Sequence, residues 1–144
     1  MITHEQLLAM WEEDAVIERS QLERESLAIP KLHHKYLQIL MDIRSKKVAF
    51  THQLETLKKE KELFYSGQAR PEEYKDKPFD LKLKTKAGVE KHVNTDPDVI
   101  KLTQKIEYFD ILLEGVQHIM DQIKWRNSSI KAAIECAKFT SGDM

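Results

Sequence analysis

Residues 99–137 read VIKLTQKIEYFDILLEGVQHIMDQIKWRNSSIKAAIECA. Alternating steps of three and four from Val99 pick out Val99, Leu102, Ile106, Phe109, Leu113, Val116, Met120, Ile123, Asn127, Ile130, Ile134 and Ala137. All but Asn127 are apolar. That spacing aligns side chains on one stripe of an α-helix. Sustained over about five heptads, it suits helix against helix and predicts that copies of the chain assemble through this segment. Phe109, Leu113, Val116, Met120, Ile123, Ile130 and Ile134 are assigned to that contact. Leu112, Ile119 and Ala133 widen the stripe, which favours more than two helices. Asn127 either fixes the register of a buried seam or marks a break in the helix.

Composition agrees with long helices. The 144 residues hold only four Gly and four Pro, and 33% are charged. The class expected is mainly α, a helical hairpin in a coiled-coil-like oligomer, and the length allows one domain. Within that domain, 3–66 hold an acidic first helix and a long helix. Residues 67–95 form a basic loop and hairpin, and 96–139 form the oligomerising helical region. Long thin helices make poor cores on their own, which again favours assembly. The lone Cys136 cannot form an internal disulfide and is expected as a small buried side chain. Residues 1–20 lack the apolar core of a signal peptide, and no run approaches the ~20 apolar residues of a membrane span. A cytoplasmic location without membrane contact fits these features.

The net charge of −1 hides a segregation. Residues 1–30 hold two basic and seven acidic side chains, residues 31–91 fifteen and nine, and residues 92–144 six and eight. A polyanion would be drawn to the middle of the chain.

The order of elements can be read along the chain. Thr3 with Gln6 is a capping box that starts a first helix, with Leu7, Leu8, Trp11 and Ala15 on its apolar face. Ser20 with Glu23 predicts a second box. Leu22, Ile29, Tyr36, Ile43, Phe50, Leu57 and Phe64 then recur every seventh residue, giving a long helix over about 21–66 with a kink or restart at Pro30. Gly67 suits a left-handed cap. Residues 67–80 read as loop. Leu81, Leu83, Val89 and Val93 around Ala87-Gly88 predict a short β-hairpin over 80–94. Asp96 caps the last helix, with Pro97 in its first turn.

The densest chemical signal is Lys58-Lys59-Glu60-Lys61-Glu62-Leu63-Phe64-Tyr65-Ser66-Gly67. Lysines neutralise phosphates and aromatic faces stack on unpaired bases. Lys58, Lys59, Lys61, Arg70, Lys82, Lys84 and Lys86 are the candidate phosphate contacts. Tyr65 is either a stacking platform or a structural tyrosine, and Phe64 belongs to the apolar column. No glycine-rich phosphate loop, nucleophile elbow or HExxH motif is present. Adjacent His33 and His34 diverge by roughly 100° on a helix and do not converge on a metal. No enzyme activity and no cofactor are therefore expected. The two readings left are a nucleic-acid binder and a structural coiled-coil scaffold.

The stretch from Lys59 to Gly67 resembles the UvsY recombination mediator family of T-even-type phages. That family carries a basic-x-basic pair, then an aromatic pair and Ser-Gly, at the end of its long helix. Asp98-Val99-Ile100-Lys101 and Tyr108-Phe109-Asp110-Ile111-Leu112-Leu113 are further points of similarity. The resemblance implies a non-enzymatic, ring-like homo-oligomer in the host cytoplasm that binds single-stranded DNA. It also implies partnership with a RecA-like recombinase and with the single-strand binding protein that the recombinase displaces. Lys59 and Lys61 stand where the family's basic pair sits, while Lys58 is added from local charge. The chain departs in having lysine where arginine can occur at the second basic position, in Glu60 and Glu62, and in a more basic segment after residue 80. Lysine keeps the charge but lacks arginine's planar fork.

Overall fold

The computed structural model describes residues 1–76 and 85–142. Its helices are α1 (His4–Asp14), α2 (Leu22–Leu27), α3 (Ile29–Tyr65), α4 (Pro71–Asp76), α5 (Lys86–Asn94) and α6 (Pro97–Ser141), with one 3₁₀ turn at Arg19–Gln21. No strand occurs among the described residues. The chain divides into two compact units, Met1–Arg44 with Asp110–Met144, and Ser45–Phe109. The long helices α3 and α6 each contribute to both.

In the first unit α1 begins as its sequence dictates. The Thr3 hydroxyl accepts from the Gln6 N–H at 3.2 Å, and the Gln6 side chain accepts from the Thr3 N–H at 3.0 Å. Leu7 is buried, and a Cβ built on Gly115 of α6 would stand 3.3 Å from its Cδ2. Trp11 packs edge-on against Tyr36, with ring centroids 5.7 Å apart. The Tyr36 hydroxyl donates to Asp14 at 2.8 Å, and Lys35 lies 2.6 Å from the same carboxylate. Burial, then Asp14, pushes the Tyr36 hydroxyl far above its ordinary range. Tyr36, Leu40, Ile43, Leu112, Val116, Ile119, Met120, Ile123 and Ile130 form the core of this unit with Leu7.

In the second unit Phe50 meets Phe109, with centroids 5.4 Å apart, and Lys105 sits over the Phe50 ring at 4.1 Å. Helix α3 ends as expected on Gly67, whose φ is +80°. The N–H of Gly67 reaches the Phe64 carbonyl at 3.2 Å and that of Gln68 the Leu63 carbonyl at 2.8 Å. These two bonds are the Schellman pattern that uses up the last carbonyls of a helix.

Several expectations change. Residues 86–94 are helix α5, not the second strand of a hairpin, and the first strand at 80–84 lies outside the described residues. Val89 and Val93 stand four apart, a spacing that serves a helix face as well as a strand. Thr85 decides between them by accepting from the Gly88 N–H at 3.1 Å as an N-cap. Ser20 caps no helix: it lies in the 3₁₀ turn and donates to Glu18 at 3.0 Å. The chain restarts at Pro30, in the first turn of α3, after Ala28 closes α2. The expected loop contains α4, whose Tyr74 hydroxyl donates to the Phe64 carbonyl at 2.6 Å while its ring stacks on Phe64 at 4.9 Å.

Helix α6 runs unbroken through Asn127, which is exposed. The polar member of the seam therefore does not mark a break in the helix. Cys136 is exposed, not buried.

Candidate nucleic-acid interface

The end of α3 lies beside the start of α6 in the second unit, and Asp96 joins them. As N-cap of α6, its Oδ1 accepts from the Asp98 N–H at 2.9 Å. Pro97 follows at the first helical position, where a missing N–H costs nothing. The Tyr65 hydroxyl donates to Asp96 Oδ2 at 2.6 Å. Lys61 Nζ lies 3.4 Å from that oxygen and 3.1 Å from Asp98 Oδ2.

Charge and burial act together here. Burial alone would raise the Asp96 carboxyl, but the Tyr65 hydroxyl, the Asp98 N–H and Lys61 outweigh it and hold the carboxyl below its ordinary value. Burial alone would lower Lys61, but the Asp98 and Asp96 carboxylates raise it overall. Burial, helped by Asp96, pushes the Tyr65 hydroxyl up to about 12.

The candidate residues thus fall into two groups. Lys58, Lys59, Arg70 and Lys86 are exposed. Lys61, with a side chain only 16% exposed, and half-buried Tyr65 turn onto Asp96. Two residues along a helix is a rotation of about 200°, so Lys59 and Lys61 leave opposite sides of α3. Tyr65 packs edge-on to Phe64 and tilted to His92, which is the structural alternative for that ring. Lys82 and Lys84 lie outside the described residues.

The partner that sequence reasoning missed here is Asp98, 3.1 Å from Lys61. Asp98 looked like ordinary first-turn acid; only its four-residue heptad offset from Leu102 hinted that it reaches α3. Among the described residues no three His, Cys, Asp or Glu are gathered as a metal site, and His33 and His34 are exposed. No described helix is long and apolar enough to cross a membrane.

The seven residues assigned to contact between copies are placed differently from one another. Phe109, Val116, Met120, Ile123 and Ile130 are buried by the chain's own fold. Leu113 and Ile134 are half-buried. Ile111, Trp125 and Phe139, on the outer side of α6, are 58%, 62% and 74% exposed.

The family model described as "Recombination, repair and ssDNA binding protein UvsY" matches residues 10–143. The chain belongs to the UvsY family. Its function is accordingly of the recombination, repair and single-stranded-DNA-binding class. The recombination protein uvsY of Enterobacteria phage T4 is 25% identical over 129 residues, 90% of either chain. Two crystal forms of the bacteriophage T4 recombination mediator protein UvsY share the fold, each with a TM-score of 0.82 at 22% identity. One alignment covers 96% of this UvsY-family chain and 99% of the other, and the second covers 98% and 99%.

Proposed function

We propose that the chain is a recombination mediator. Several copies bind single-stranded DNA together and help a RecA-like recombinase load in place of single-strand binding protein. The exposed pair Lys58 and Lys59, at the end of α3, is the observation that carries this reading. The unit they belong to holds fourteen Lys and Arg against eleven Asp and Glu, whereas the other holds nine against thirteen. Arg70 and Lys86 extend the cationic surface, and Lys82 and Lys84 add to it by sequence.

One copy offers a handful of phosphate contacts, so its grip is weak and salt-sensitive. Joining copies in a ring multiplies the patch, and tethered patches bind with a high effective concentration. Assembly uses the apolar side chains that the chain leaves uncovered on the outer side of α6: Ile111, Trp125 and Phe139. A strand held along such a ring is extended, which disfavours its previous protein coat and presents it to the recombinase. No bond is made or broken, and the protein acts without enzymatic chemistry.

Anisotropy of a labelled oligonucleotide at two salt concentrations tests this. Affinity is expected at low salt and a steep loss at high salt. A chain that ignores single strands at low salt removes the proposal and leaves the scaffold reading.

A further inference from the structure

Resting on the DNA-binding reading above, we infer that the two members of the basic pair have different tasks: Lys59 meets the strand, and Lys61 is a positioning residue that holds the end of α3 to the start of α6. Lys61 Nζ lies between two carboxylates, 3.4 Å from Asp96 and 3.1 Å from Asp98. Asp96 is itself 5% exposed and fixed by the α6 cap and the Tyr65 hydroxyl. A phosphate approaching Lys61 would have to displace these carboxylates and then sit beside them as a like charge. Lys59 faces no such competition from its geometry. It is exposed and lies on the opposite side of the helix. One phosphate track cannot run along both sides of a helix about 10 Å wide.

The division explains why aromatic and basic residues are mixed at this helix end. Lys61 and Tyr65 are one turn apart, so both reach the same carboxylate. Together they fix the direction in which Lys58 and Lys59 leave the surface.

Lysine acetylation footprinting on the full chain, with and without saturating oligothymidylate, tests the assignment. In the free protein Lys61 is expected to react about ten-fold more slowly than Lys59, because the reagent attacks the neutral amine and paired carboxylates favour the ammonium. Oligothymidylate should protect Lys59 and leave Lys61 unchanged. Lys61 reacting as fast as Lys59 and becoming protected by the strand would overturn the inference. In a salt titration, Lys59→Met should lose about 0.7 from the slope per engaged copy. Lys61→Met should weaken binding at every salt concentration with the slope retained, and Lys61→Arg should restore it. A slope that falls equally in Lys61→Met also overturns the assignment. Should Lys61→Met fail to fold, the footprint on the unaltered chain still decides. An oligonucleotide that protects no lysine defeats the DNA-binding reading itself, a result separate from the reactivity of Lys61 in the free protein.

Discussion

The guanidinium of Arg126 lies 2.8 Å from the carboxylate of Glu25 and also donates to the carbonyls of Ala15, at 3.3 Å, and Val16, at 3.1 Å. Arg126 is 7% exposed. One planar side chain of α6 thus binds the exit of α1 and the middle of α2. Lysine lacks the fork that serves three acceptors at once. Arg126→Lys should therefore lower stability by about 1–3 kcal/mol through acceptors left unserved. Glu25→Ala strands a buried guanidinium and should cost about 3 kcal/mol, the low end for a broken buried pair because Glu25 is partly solvated. Urea unfolding midpoints measure both. Two unchanged midpoints would mean that the tie contributes nothing.

Stability should depend on pH at both extremes through the Asp96 cluster. The Asp96 carboxyl titrates below its ordinary 3.8, so its contribution is complete above that value and disappears as pH falls through the lowered one. Lys61 is raised above 10.5 and Tyr65 from 10.0 to about 12, so their contributions are complete below the ordinary values and fade as pH rises through the raised ones. The thermal midpoint is expected to be flat from about pH 5 to 9 and to fall on either side. Asparagine caps a helix as well as aspartate. Asp96→Asn should therefore keep α6 while shrinking its share of the acid limb. An acid limb identical to that of the parent would assign the loss to other carboxylates.

Gly115 is a glycine in the interior of α6 placed against buried Leu7. Alanine there gains up to about 1 kcal/mol of helix propensity. Part of that is spent moving the end of the Leu7 side chain by a few tenths of an ångström. Gly115→Ala should consequently change stability by less than about 1 kcal/mol. Gly115→Leu has nowhere to go and should cost about 1–3 kcal/mol. Hydrogen exchange would show α1 losing protection in the leucine variant only. Full protection of α1 in that variant would mean that it does not rest on Gly115.

Variants at Val116 and Trp125 should separate folding from the proposed assembly. Val116 is wholly buried within its own chain, so Val116→Asp should unfold the first unit, seen as lost helical circular dichroism. Trp125→Ser with Phe139→Ser alters only exposed positions and should keep helix content. Sedimentation should then show smaller species, with weaker oligonucleotide binding through lost avidity. An intact assembly in this double variant would move the interface elsewhere.

Much of the fold was legible because helical periodicity survives in one dimension. Tyr36 and Ile43 are buried, and the other members of the column that runs from Leu22 in α2 to Phe64 in α3 are half-buried, as a spacing of seven requires. Thr3, Gly67 and Asp96 act at helix ends as their chemistry predicts. The hairpin misled because two valines four apart satisfy two periods, and a single threonine cap settled the matter. The candidate site was half legible. The run from Lys58 to Tyr65 announces cations and rings but not which way each one turns.

Local sequence therefore determined where helices start, where they stop and which face is apolar, since these depend on neighbours within a few residues. Tertiary structure alone decided what covers that face. The α6 stripe reads as a surface for other copies, yet Val116, Ile123 and Ile130 are buried within their own chain. It also decided that Lys61 turns inward and Arg126 is buried, because their partners Asp96, Asp98 and Glu25 come from distant segments that only folding brings within reach.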